Sequence, residues 1–128
     1  EKVEATVADI PFVGYIDAIM IAGDEKVVVD HKTSKTYKTA ENASYNVPQL
    51  QTYAKIVDAR RGILNYPLTQ QYFIYDFTDQ QIEDNWTSLE KTAQKLITCV
   101  EAEPKKGSLC GWCDYKPLCP AFNKKQNK

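Results

Sequence analysis

The chain has 128 residues, 43% hydrophobic and 26% charged, with a net charge of −1, which suits one soluble globular domain around a single core. No apolar run approaches the ~20 residues that span a bilayer and no signal-peptide pattern is present, which points away from a membrane and towards the cytoplasm. Near-neutral charge argues against wholesale coating of nucleic acid.

In chain order, residues 2–8 alternate weakly and read as a first strand. Residues 12–21 are apolar on both parities, as in a strand buried on two faces, and Asp17 is their only charge. Gly23-Asp24 reads as a two-residue hairpin loop, with Gly23 at a position that needs positive φ. Residues 26–32 follow as a second arm containing Val27-Val28-Val29, β-branched residues suited to a central strand. Residues 33–44 are polar and without period, and read as a loop. Residues 45–61 read as a helix, with Pro48 in its first turn and Gly62 as its stop. Residues 66–77 read as one further strand. Thr78 and Gln81 form a capping box ahead of a long helix. Its apolar stripe is Ile82, Trp86, Leu89, Ala93, Leu96, Ile97 and Val100, it closes at Pro104, and it is expected to cover a sheet face. The order predicts an α/β (α+β) fold, a mixed central sheet with an antiparallel hairpin, flanked by helices.

If Gly23-Asp24 is the loop, Ala22 faces Glu25 and Asp17 faces Asp30. Opposed Cβ atoms lie roughly 4.5–5.5 Å apart, and like charges so placed are destabilising unless a cation or shared proton relieves them. Alternation puts Lys32 on the face of Asp30. Two carboxylates and a lysine on one face suit a metal-dependent phosphodiesterase. Carboxylates bind Mg²⁺ or Mn²⁺, which activates water and neutralises charge on the phosphoryl oxygens. Asp17 and Asp30, with the carbonyl of His31, are the candidate ligands, and Lys32 would orient water or stabilise the transition state. Against this stands a surface hairpin with ordinary salt bridges, which would be preferred for a lone D-x-K. His31, the only histidine, alternates to the opposite face and reads as a packed, structural ring.

Gly14-Tyr15-Ile16-Asp17, then Val29-Asp30-His31-Lys32-Thr33-Ser34, then Gln49-Leu50-Gln51-Thr52-Tyr53-Ala54, resembles the PD-(D/E)xK nucleases, most closely the RecB-like exonuclease branch. The resemblance implies a restriction-endonuclease-like core and a Mg²⁺- or Mn²⁺-dependent deoxyribonuclease acting in recombination, repair or phage DNA metabolism. It places metal binding on Asp17 and Asp30, catalytic assistance on Lys32, and DNA contact on Gln49 and Tyr53. It also brings a helicase or recombination protein into view as a partner. The family has a helix before the first strand, commonly carrying an acidic residue, and residues 1–11 form no convincing helix. Beginning at Glu1, the chain reads as a fragment of reduced activity. The alternative is a catalytically inactive DNA-binding or structural module of the same fold.

Cys110, Cys113 and Cys119 form a C-x2-C-x5-C run, which in a cytoplasmic chain suggests a shared metal rather than disulfides. The resemblance implies a [4Fe–4S] cluster on this triplet with a fourth cysteine upstream of the nuclease motifs, which this chain lacks. Cys99 is the remaining candidate ligand, although an isolated cysteine is more often a small packing residue. Zinc on the four cysteines, and three unliganded or oxidised cysteines, are the other two readings. Past Pro104, six lysines stand against one acid, Asp114, while the rest holds 10 basic and 16 acidic residues. That tail is either a solvated end or a phosphate-contacting segment. The whole is expected to be a single nuclease domain, 1–128, with a core over 1–104 and a cysteine-bearing segment over 105–128.

Overall fold

The computed structural model describes residues 1–122. Strands β1 (Lys2–Val7) and β2 (Ile10–Tyr15) form an antiparallel hairpin with Val7 opposite Ile10. Its loop is Ala8-Asp9, with φ of 48° and 63°, the paired positive values that match a tight turn to the strands' twist. Aspartate tolerates this region, whereas alanine there costs about 1–2 kcal/mol, so no glycine marks the turn in the sequence.

The run 12–21 is therefore not one strand. β2 ends at Tyr15, and β3 begins at Ala18 and ends at Ala22 in a different sheet. Nor is it buried on two faces, because Val13, Tyr15, Met20 and Ile21 are exposed. The Ile16 N–H donates to the Glu1 carbonyl at 2.8 Å, so pairing with β1 holds the chain up to the residue before Asp17. Release from β1 there lets it bend into the second sheet.

That sheet has the order β3-β4-β5-β6. Gly23 turns the chain with φ 64°, and β3 pairs with β4 (Glu25–His31) so that Ala22 faces Glu25 and Ala18 faces Val29. This is the register expected from the Gly23-Asp24 loop. Val27, Val28 and Val29 are all buried. β4 pairs in parallel with β5 (Arg61–Tyr66), which pairs antiparallel with β6 (Gln71–Asp76). A parallel pair needs a crossover, supplied by α1 (Ala40–Ser44) and α2 (Val47–Val57).

Three sequence expectations change here. Residues 33–44 are not all loop, because the Thr39 side chain caps α1, accepting from the Asn42 N–H at 3.2 Å. α2 carries Pro48 in its first turn as expected but ends at Asp58 in the left-handed region, well before Gly62. Gly62 instead lies in β5, where a Cβ would stand 3.0 Å from Leu50 Cδ1, so its bareness lets α2 approach the sheet. The expected strand 66–77 divides at a 3-10 turn, Pro67–Thr69, and pairs with the unforeseen β5.

The core lies between α2 and one face of the sheet. Leu50, Tyr53 and Ala54 meet Val28, Leu64 and Tyr66, with Ile16, Phe77 and Ile82 closing the sides. The opposite face is open at Met20, Tyr72 and Ile74. α3 (Asp79–Thr98) opens on the expected capping box: the Gln81 N–H donates to Thr78 Oγ1 at 3.2 Å, and the Thr78 N–H to Gln81 Oε1 at 3.0 Å. Thr78→Ala is expected to cost about 1 kcal/mol in a urea melt; an unchanged midpoint would show that tertiary contacts alone hold this helix end.

α3 stops at Thr98 rather than Pro104 and buries only Ile82, leaving Leu96, Ile97 and Val100 exposed. It is tied to α2 rather than spread over a sheet face. Asn85 Nδ2 donates to the Pro48 carbonyl at 3.2 Å and to Thr52 Oγ1 at 3.0 Å, and Lys55 pairs with Glu83.

By packing, the chain divides into two compact units, Glu1–Ile97 and Thr98–Lys128. Within its described residues the second unit is a succession of tight turns, including the 3-10 segment Ser108–Trp112. Its Lys106 and Lys116 lie over the Phe122 ring. Lys124, Lys125 and Lys128 of the basic tail lie outside the described residues.

Candidate active site

Asp30 sits near the end of β4, buried to 7% exposure among the valines that made this strand central. A buried carboxylate needs compensation, and Lys32 supplies it two residues on, with Nζ 2.7 Å from Asp30 Oδ2. The ammonium lies off the hydrogen-bonding direction, so Oδ2 has an ion-pair neighbour but no aligned donor. Lys32 Nζ donates instead to Gln49 Oε1 at 3.1 Å. Gln49 comes from the first turns of α2, so the crossover helix bears directly on the lysine.

Asp17 stands in the bend between β2 and β3, exposed rather than buried. Continuing the β3–β4 register by one residue sets it opposite Asp30, as expected. The like-charge conflict is relieved by divergence: Asp17 Oδ2 accepts the His31 N–H at 2.7 Å, while Asp30 turns to Lys32. The end of strand β4 and the residue after it thus offer a carboxylate, a backbone donor and a lysine within three consecutive residues.

His31 is not the packed ring the sequence suggested. It is exposed, and its Nδ1 lies 3.0 Å from Asn65 Nδ2 on β5, which donates when that nitrogen is unprotonated. Its partner on the neighbouring strand is Asn65, whereas Asp30 faces Leu64, so the ring and the carboxylate use opposite faces. Asn65 was missed from the sequence because β5 itself was missed. Its carbonyl also accepts the Lys32 N–H at 2.8 Å, so it grips both residues that follow Asp30.

Tyr53 lies one turn after Gln49 on α2, but only 8% of it is exposed. Its ring presses on Gly14, where a Cβ would lie 2.6 Å from Cε1. Of the two helix residues, Gln49 reaches the lysine and Tyr53 braces the helix against β2.

The first unit brings Asp17, Asp30, Lys32 and Gln49 together. Two carboxylates are fewer than a complete protein cage, and among the described residues no three His, Cys, Asp or Glu side chains gather for a metal ion. The donors nonetheless fit a hard divalent ion: Asp30 Oδ2 is buried without an aligned donor, and oxygen ligands suit Mg²⁺, which keeps several of its own waters. In the second unit, Cys99, Cys110, Cys113 and Cys119 are free thiols and also form no such group. Their sulfurs make local bonds instead, Cys99 to the Glu101 carbonyl and Cys110 from the Gly107 N–H. Thiolate sites of this kind take shape with the metal their ligands share.

Among the described residues no helix is long and apolar enough to cross a membrane. The chain is 29% identical over 118 residues to the Gene 69 protein of Mycobacterium phage L5, an alignment covering 85% of this chain and 39% of that protein. The chain therefore spans about two fifths of that relative's length. The fold resembles the crystal structure of SSO0001 with a TM-score of 0.62 and 22% identity, over 97% of this chain and 59% of the other, which supports a restriction-endonuclease-like architecture. Residues 1–120, from β1 through the last cysteine, match the profile of the PD-(D/E)XK nucleases; with Asp30 buried on β4, Lys32 two residues on and Asp17 held beside them by the His31 N–H, the chain belongs to the PD-(D/E)XK nuclease superfamily.

Proposed function

We propose that this chain is the nuclease domain of a RecB-like, Mg²⁺- or Mn²⁺-dependent DNA exonuclease acting in recombination, repair or phage DNA metabolism. The observation that carries the reading is Asp30 Oδ2, buried and without an aligned donor beside the Lys32 ammonium. The ion pair compensates the buried charge, and a divalent ion would use the lone pair that no aligned donor takes.

Asp17 and Asp30, with the His31 carbonyl, would hold the ion. When bound, the metal would lower the pKa of its water and polarise the scissile phosphate. Lys32, held by Gln49, then stands where it can orient the attacking water and meet charge on the phosphoryl oxygens. The His31 N–H keeps Asp17 from swinging away, and Tyr53 sets the position of α2 and hence of Gln49. The phage relative favours a role in phage DNA metabolism within this reading.

The test is cleavage of end-labelled single- and double-stranded DNA with Mg²⁺, with Mn²⁺ and with chelator. Metal-dependent release of nucleotides from an end supports the proposal; metal binding without cleavage supports the inactive module. For the cysteines the reading is a [4Fe–4S] cluster, with zinc as the alternative. Protein purified without oxygen is expected to be brown and to bleach when the iron is removed. A colourless protein with bound zinc would favour zinc, and one with neither would leave Cys110, Cys113 and Cys119 as the free thiols described.

A further inference from the structure

Residues 33–38 leave β4 directly after Lys32 and cross the end of the sheet. They carry no regular structure, yet the segment is anchored at its two ends and turns on itself between them. The Lys32 N–H bonds the Asn65 carbonyl, and Ser34 Oγ accepts the Thr36 N–H at 3.2 Å. Gln71, the first residue of β6, then grips the Lys38 peptide twice: Oε1 accepts its N–H and Nε2 donates to its carbonyl, both at 2.8 Å. Thr69 Oγ1 donates to the same Gln71 oxygen at 3.0 Å. The segment thus runs from β4 past β5 to β6, two strand spacings or about 10 Å, along the edge where β4 and β5 end. Open sheets commonly place ligands outside such carboxyl ends.

What this pinned segment displays is two cations and an aromatic ring. Tyr37 is 74% exposed, far more than a packing tyrosine. Lys35 and Lys38 make no ion pair among the described residues, and residues 33–40 contain no acid. Internal packing does not account for the fixed backbone, because Tyr37 turns outward. A basic, aromatic track that begins directly after Lys32 matches the chemistry of a single nucleic-acid strand, whose phosphates meet lysines and whose unstacked bases lie on aromatic rings. A duplex keeps its bases stacked and offers Tyr37 no face.

Resting on the nuclease reading above, we infer that residues 33–38 bind the single strand next to the scissile phosphate, with Lys35 and Lys38 on phosphates and Tyr37 stacked on a base, and that Gln71 is the positioning residue that holds this track.

The test is equilibrium binding of a fluorescent single-stranded oligonucleotide and its duplex to the whole chain, with Ca²⁺ in place of Mg²⁺ and across a salt series. Tyr37→Ala is expected to weaken single-strand binding about 5- to 150-fold, with less effect on duplex, and Tyr37→Phe is expected to restore it. Lys35→Ala with Lys38→Ala should reduce the slope of log affinity against log salt by about 1.4, two phosphate contacts' worth. Gln71→Leu should weaken single-strand binding while the melting temperature still reports a folded protein. Tyr37→Ala equal to wild type, or an unchanged salt slope in the double variant, would overturn the inference and turn attention to a protein partner for this loop. A folded wild type that neither binds nor cleaves either DNA would overturn the nuclease reading as well, so the two failures are distinguishable.

Discussion

Asp30→Asn is expected to leave a folded protein whose metal-dependent DNA cleavage falls by on the order of 10³-fold or more. On the proposed reading Asp30 is a metal ligand, and its ion is asked for several kcal/mol of transition-state stabilisation, at about 1.4 kcal/mol per tenfold. The fold should persist, because asparagine fills the same space and keeps an acceptor near Lys32. Wild-type cleavage by purified Asp30→Asn would sink the assignment. Lys32→Met makes a contrasting case. It leaves the Asp30 carboxylate, 9% exposed at its side chain, without its cation, and breaking a buried pair from one side costs about 3–5 kcal/mol. Lys32 is itself 26% exposed, so the lower end of that range is expected. Adding Mn²⁺ should recover part of the lost melting temperature in Lys32→Met, because the ion then supplies the missing charge, and should recover none when Asp30→Asn is added. Equal Mn²⁺ recovery in both would mean that the ion binds elsewhere.

Gly14→Ala is expected to destabilise the protein by about 1–3 kcal/mol, the range for overpacking a filled core. The new Cβ would lie 2.6 Å from Tyr53 Cε1, 3.2 Å from its hydroxyl oxygen and 3.3 Å from Phe12 Cε1. The Tyr53 ring must shift, and with it α2, whose Gln49 holds Lys32. The loss should therefore also appear as weaker metal-dependent cleavage, although Gly14 touches no reacting group. Tyr53→Leu combined with Gly14→Ala should cost clearly less than the two changes added, as residues in contact do. Costs that add within about 0.5 kcal/mol would show that the ring and the glycine do not press on one another.

Much of the site was legible because its determinants are local. Gly23 set a two-residue loop, the loop set the register that carries Asp17 towards Asp30, and period-two alternation set Lys32 on the Asp30 face. The Thr78–Gln81 box lay within four residues and formed as read. Errors clustered where a local signal was weak or a distant partner decided the outcome. Ala8-Asp9 turns without glycine, so a hairpin was read as part of other strands. Gly62 resembled a helix stop, yet it is bare because Leu50 packs on it, a reason that exists only once α2 lies on β5. The apolar stripe of α3 forecast burial along its length, but only Ile82 found a buried place.

Residue order alone therefore determined the chemistry on offer: two carboxylates and a lysine in register, a Gln-x-x-x-Tyr helix after them, and three closely spaced cysteines. Tertiary structure decided which of these groups act on one another. It gave Asp17 a backbone donor instead of burial, turned Tyr53 inward and Gln49 to the lysine, and set Asn65 against His31 and Lys32 and Gln71 against Lys38. The physical reason is range. Turn geometry and strand alternation are fixed within a few residues, whereas burial and hydrogen-bond partners depend on strands and helices brought together from 14 to 34 residues away.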